Sequence, residues 1–204
     1  MNIYSYKGGE KMNNTQLLAL LLLVVFYGAY YKKTLLQKKK GIKTNQLGIG
    51  NKNQRTIRVE KGLRIASMII VPIEVISILY NQSQEQLFFK NLGLILIGLG
   101  VVFFCMAMWH MRDSWRAGIP ATDQTELVTT GIYKWSRNPA FLGFDLTYIG
   151  VLIAFYNPVL LVVTIWVMVM MHLQIIEEEK FLKLVFKEAY EVYCQRTGRY
   201  LWLV

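Results

Sequence analysis

Cysteine and histidine are scarce in this 204-residue chain, with two of each, and Cys105, Cys194, His110 and His172 show none of the close spacings from which zinc sites are built. No metal site is expected. Acids are also few, 13 against 23 lysines and arginines, leaving a net charge of +10. Polar residues that alternate with apolar ones at helix or strand period are largely missing too. A large soluble core needs such amphipathic partners to cover its apolar helices, so their absence excludes that class.

What is present is apolar sequence in blocks. The chain is 54% hydrophobic with a mean hydropathy of +0.32, and its apolar residues gather at Leu17–Tyr31, Leu63–Tyr80, Leu92–Trp109, Ala140–Phe155 and Val159–Leu173. A bilayer core about 30 Å thick takes roughly 17–25 helical residues, which each run reaches with a flanking residue or two. The reading is an all-α polytopic membrane bundle of about five transmembrane helices, followed by a C-terminal cytoplasmic helix. The first run lacks a basic lead-in and a small-residue cleavage site, so it is read as a span and not as a secretory signal.

Charge orients the spans. The first connection carries Lys32, Lys33, Lys38, Lys39, Lys40, Lys43, Lys52, Arg55, Arg58 and Lys61, and the second only Glu85 and Lys90. Arg112, Arg116, Lys134 and Arg137 follow in the third, Tyr156-Asn157-Pro158 is a bare turn, and the tail is basic again. Basic residues on every second connection place the N-terminus outside and the C-terminus, with any site near it, on the cytoplasmic side of the cell membrane. The positive charge is read as orientation and attraction to anionic membrane lipid, and no nucleic-acid partner is expected. Both cysteines then face a reducing compartment, where a structural disulfide is not expected. Lys7-Gly8-Gly9-Glu10-Lys11-Met12 can be encoded by a bacterial ribosome-binding sequence before a start codon, so Met12 is expected to be the true first residue and 1–11 a translated leader. Residues 1–91 read as a two-span membrane anchor and 92–204 as the functional core. Between the first two spans, Gly41–Lys61 is expected to be surface-lying or flexible.

Two stretches of the core carry unusual chemistry. In Leu127-Val128-Thr129-Thr130-Gly131-Ile132-Tyr133-Lys134-Trp135-Ser136-Arg137-Asn138-Pro139-Ala140-Phe141-Leu142-Gly143, Gly131 and Pro139 turn the backbone just before the fourth span. Pro139 suits the first turn of a helix. Free amides and the Arg137 guanidinium at a helix start would suit an anionic group. An aromatic belt with one more inside charge accounts for the same residues equally well. In the second stretch, Glu177-Glu178-Glu179 precede Leu182, Phe186, Tyr190 and Tyr193, which share one helical face. Three acids directly after a span are read as a helix start, either favouring the helix dipole or holding a cation. Glu74 and Asp145 lie within spans. Glu74 is expected to be neutral or hydrogen-bonded inside the bundle, and Asp145 lies close enough to the first stretch to help shape a pocket.

Together the two stretches resemble the isoprenylcysteine carboxyl methyltransferases and the related phospholipid methyltransferases. The family pattern Leu-Val-x-x-Gly-x-Tyr, Arg-His-Pro-x-Tyr-x-Gly, then Glu-Glu-x-x-Leu-x-x-x-Phe-Gly-x-x-Tyr-x-x-Tyr matches at Leu127, Val128, Gly131, Tyr133, Arg137, Pro139, Gly143, Glu178, Glu179, Leu182, Phe186, Tyr190 and Tyr193. The resemblance implies an S-adenosylmethionine-dependent, carboxyl O-methyltransferase-like enzyme acting on a lipid-like or prenylated acceptor. It implies that Leu127, Val128, Tyr133, Arg137, Asn138, Pro139, Ala140, Phe141, Glu178 and Glu179 bind the cofactor, with Arg137 and Glu178 the catalytic pair and Gln174 and Arg199 toward the acceptor. Asn138 departs from the family His, Phe141 from Tyr, Lys187 from Gly, and Leu201-Trp202 from a usual Pro. Gln174 stands where the prenylcysteine enzymes have Arg. Two other readings remain: an NADPH-dependent sterol-type membrane reductase, and a non-catalytic protein of the same fold.

Overall fold

The computed structural model describes residues 12–81, 86–120 and 126–201. The leader assigned to residues 1–11, Glu85 and Trp202 lie outside them. Five α-helices make up the bundle: α1 (Asn14–Lys39), α2 (Gln54–Leu79), α3 (Leu87–Met111), α4 (Pro139–Ala154) and α5 (Pro158–Arg196), with single 3₁₀ turns at Arg112–Ser114 and Gly131–Lys134. The chain is a polytopic helical membrane protein. α1, α2, α3 and α5 are long and apolar enough to cross a bilayer, whereas α4 has 16 residues. At 1.5 Å per residue α4 is about 24 Å long, short of a full hydrocarbon core. Pro139 opens it and the Phe155–Asn157 turn closes it, which sets that length.

Polar residues at the helix ends fix how the bundle closes. Asn13 and Gln16 form a reciprocal capping box on α1 (2.8 and 2.9 Å). Gln16 Nε2 then donates to the carbonyl of Ile78 at the far end of α2 (2.7 Å), and Asn157 Nδ2, in the α4–α5 turn, donates to Ser77 Oγ (2.7 Å). The opposite end gathers the basic connections. There Gln37 donates to the carbonyl of Trp115 (3.0 Å), and residues 44–46 pair with Ala117. Between the ends, α3 and α4 approach through glycines. A Cβ placed on Gly150 would lie 2.6 Å from the carbonyl of Gly93, and one on Gly143 2.8 Å from that of Gly100. Small residues at seven-residue spacing let two apolar helices touch backbone to backbone where lipid offers no competing hydrophobic drive.

One expectation is narrowed and another corrected. Of the two alternatives for segment 41–61, surface-lying and flexible, the first holds: most of its residues are at least partly open, but buried contacts anchor it. Helix α2 already begins at Gln54, and Thr44, Gln46 and Glu60 are buried. Glu60 organises it: its carboxylate accepts from Lys52 Nζ (2.7 Å) and from the amides of Gly48 (2.7 Å) and Ile119 (2.9 Å). A lysine 5% exposed beside a glutamate 0% exposed is a buried ion pair. Such a pair tolerates little mobility, because losing it strands a charge away from water. The C-terminal helix does not begin at the three acids. Gln174, Ile175 and Ile176 contain no breaker, so α5 runs unbroken from Pro158 until Lys187, whose φ of 45° and ψ of −123° interrupt it. Glu177–Glu179 therefore sit in mid-helix, where the dipole of a helix start does not act.

Candidate active site

Each of the three consecutive acids of α5 points a different way, as the ~100° step of a helix requires. Glu177 faces α2, accepting from Thr56 Oγ1 (2.7 Å) and Lys180 Nζ (2.7 Å) with Arg55 beside it. Glu179 faces the turn before α4, where it pairs with Arg137 Nη2 (3.1 Å) and with Arg199 Nε and Nη2 (3.1 and 2.8 Å). Glu178, between them, faces a cavity of about 390 Å³ and accepts from Gln174 Nε2 one turn earlier (2.9 Å).

The turn and the C-terminal segment are laced together at the cavity's edge. Tyr193 OH donates to the carbonyl of Tyr133 (2.6 Å), and the amide of Arg137 donates to the carbonyl of Gly198 (3.0 Å). Asn138 Nδ2 donates to the carbonyl of Arg199 (3.1 Å). Asn138 is thereby diverted from capping α4, and Pro139 has no N–H. Among the described residues the amides of Ala140 and Phe141 consequently have no main-chain acceptor, and both residues line the cavity. Burial pushes the Tyr133 phenol up, and hydrogen bonding to Glu179 raises the Arg199 guanidinium. The cavity thus has a neutral phenol in its wall and a fixed cation in the joint behind it.

Of the residues singled out in the sequence, Leu127, Val128, Tyr133, Arg137, Asn138, Pro139, Ala140, Phe141, Gln174 and Glu178 line the cavity. Glu179 and Arg199 do not; they form the joint behind it. The Arg137 guanidinium lines the cavity but is paired with Glu179, and its Nε is buried without a partner. Leu182, Tyr190 and Tyr193 line the cavity, but Phe186 does not. Glu74 is buried and accepts from Tyr27 OH (2.7 Å), while Asp145 lies outside the lining. The N-terminal half was read only as an anchor, yet it supplies one whole wall: Tyr27 and Tyr30 of α1, Leu63, Arg64, Ser67, Met68 and Val71 of α2, and Leu47. The available signal was Arg64, the single cation inside an apolar run.

Three cavity-lining side chains, Trp115, Arg137 and Gln174, carry a buried polar atom with no protein partner. Such groups are rare in a finished interior and call for a bound one. A volume of this size takes a cofactor-sized molecule. An acid at one point, bare amides at a helix start and aromatic walls match the ammonium, carboxylate and sulfonium of S-adenosylmethionine.

The phospholipid methyltransferase family model matches residues 89–189. The protein-S-isoprenylcysteine O-methyltransferase of Saccharomyces cerevisiae is 34% identical over 110 residues, 52% of this chain and 46% of that protein. Proteins named probable protein-S-isoprenylcysteine O-methyltransferase in Oryza sativa subspecies indica and japonica are 28% identical over 124 residues, 59% of this chain and 65% of theirs. The match thus spans less than two thirds of each relative. The matched residues include the turn before α4 and the three acids of α5, and over them the chain is similar to the phospholipid methyltransferase family and to the isoprenylcysteine O-methyltransferases.

Proposed function

We propose that this protein is an S-adenosylmethionine-dependent membrane methyltransferase acting on a lipid-like or prenylated acceptor at the cytoplasmic membrane surface. The observation that carries it is the convergence of Glu178 with the Leu127–Phe141 turn on one cavity. Family methyltransferases use S-adenosylmethionine in general, and that cofactor supplies a methyl carbon on a sulfonium, open to attack by an acceptor lone pair. Glu178, steadied by Gln174, would hold the ammonium end. The amides of Ala140 and Phe141 would take the carboxylate, a task the sequence had suggested for Arg137. Arg137 instead positions the turn through Glu179. The aromatic faces of Tyr133, Tyr190 and Tyr193 give the cavity a wall suited to a cation. Exclusion of water around the reacting atoms and fixed orientation supply the rate.

The cavity lies at the end of the bundle where the basic connections gather, which by the positive-inside rule supports a cytoplasmic site. A carboxylate acceptor needs no general base, and among the described residues no histidine borders the cavity. The test is calorimetric titration of the purified protein with S-adenosylhomocysteine and, separately, NADPH. Binding of the former with transfer of labelled methyl into a lipid-extractable product is expected. Binding of NADPH alone, or of neither, overturns the proposal.

A further inference from the structure

Among the described residues three cations border the cavity: Arg64, Arg116 and Arg137. Two are occupied. Arg137 pairs with Glu179 (3.1 Å), and Arg116 donates to the carbonyls of Asp113 and Trp115 (2.6 and 2.8 Å). Among the described residues Arg64 makes no hydrogen bond or ion pair, and it is exposed. It stands at the start of the apolar run of α2, one residue after Leu63, at the depth where a membrane gives way to head groups. Ser67, Met68 and Val71 follow at spacings of three, four and seven, so they lie on its face of the helix and also line the cavity. On the opposite wall position 174 is a neutral amide whose Nε2 is already committed to Glu178. The family match begins at residue 89, so α2 belongs to the wall outside it.

We propose that Arg64 is the acceptor-reading residue of this cavity. Its guanidinium pairs with an anionic head group, carboxylate or phosphate, while the apolar tail lies along Met68 and Val71. A planar fork of donors suits either anion. The assignment rests on the methyltransferase reading and adds the class of acceptor to it.

The test is equilibrium binding to the protein in phosphatidylcholine nanodiscs, with S-adenosylhomocysteine titrated in parallel. Two anionic amphiphiles, N-acetyl-S-farnesylcysteine and a short-chain phosphatidic acid, are each set against a neutral counterpart, the carboxamide and the diacylglycerol. Wild type is expected to prefer one anion over its neutral partner by about tenfold or more, and which anion it is separates a carboxylate from a phosphate source. Arg64→Gln should bring that ratio close to one, and Arg64→Lys should keep part of it. S-adenosylhomocysteine affinity should stay the same in all three proteins. Retained S-adenosylhomocysteine binding with no anion preference in wild type, or with a preference that survives Arg64→Gln, overturns the role of Arg64 alone. Failure of wild type to bind S-adenosylhomocysteine overturns the methyltransferase reading and the acceptor role with it.

Discussion

The two walls of the cavity are built in different ways. One comes from the Leu127–Phe141 turn and α5, and every feature of it has a local sequence sign: a Gly, a Pro, an acidic triplet, aromatics at helical spacing. The other comes from α1, α2 and the connections 44–53 and 115–120. It is held by contacts between residues far apart in the chain, such as Glu60 with Ile119 and Gln37 with Trp115. The first wall can be recognised from a motif. The second is an assembly that only the fold creates.

The comparison is broken most severely through the joint of the first wall. Glu179→Ala leaves Arg137, 12% exposed, without its counter-charge. Breaking a buried pair costs about 3–5 kcal/mol, and the half-open Arg199 side argues for the low end. At about 2–4 °C per kcal/mol for a chain of this size, the apparent melting temperature in detergent should fall by about 6–12 °C. A change below about 2 °C would show that the turn and the C-terminal segment do not depend on this carboxylate.

Glu60→Ala does the corresponding damage to the second wall. Lys52, 5% exposed, loses its partner, and the amides of Gly48 and Ile119 lose their acceptor. A loss of about 3 kcal/mol is expected, with new tryptic cleavage at Lys43 and Lys52. S-adenosylhomocysteine binding should survive at temperatures where the protein remains folded. If cofactor affinity falls as much as stability does, the two walls are not separable.

Glu178→Gln sharpens the contrast within the first wall, because it alters the acid adjacent to Glu179 and should behave oppositely. Loss of a charge-assisted hydrogen bond of about 1.5–3 kcal/mol predicts S-adenosylhomocysteine binding weaker by about tenfold or more, with the melting temperature within about 2 °C of wild type. The reverse pattern would assign Glu178 to structure.

These neighbours also show what the sequence could and could not disclose. The membrane class, the start of α4 at Pro139 and the meeting of the two stretches were legible, since each depends on composition, a ring-locked φ or a spaced motif. The separate jobs of Glu177, Glu178 and Glu179 were not. They depend on α5 running unbroken through residue 177, and no residue there announces whether a helix continues or restarts. The order in segment 41–53 was hidden for a related reason. Its Asn, Gln and Lys content matches a solvated loop, and burial becomes affordable only once Glu60 and Ile119 are brought within reach.

The smallest expected effect lies where the first wall departs from its own rules. Lys187 interrupts α5 at φ 45° and ψ −123°, a conformation that crowds a Cβ and that glycine adopts freely. The family pattern has Gly at this place. Strain of this kind costs about 1–3 kcal/mol, and a glycine gives back about 0.5–1 kcal/mol through its greater freedom in the unfolded chain. Lys187→Gly should therefore stabilise the protein by about 1 kcal/mol, raising the melting temperature by about 2–4 °C. S-adenosylhomocysteine affinity should hold or improve slightly, because Tyr190 and Tyr193, which line the cavity, follow this break and a glycine preserves it. Lys187→Ala separates the two explanations. Alanine keeps the Cβ and favours a continuous helix, so it should give none of the gain if the break is real. A higher melting temperature for the alanine variant than for the glycine variant would mean that α5 runs straight through residue 187.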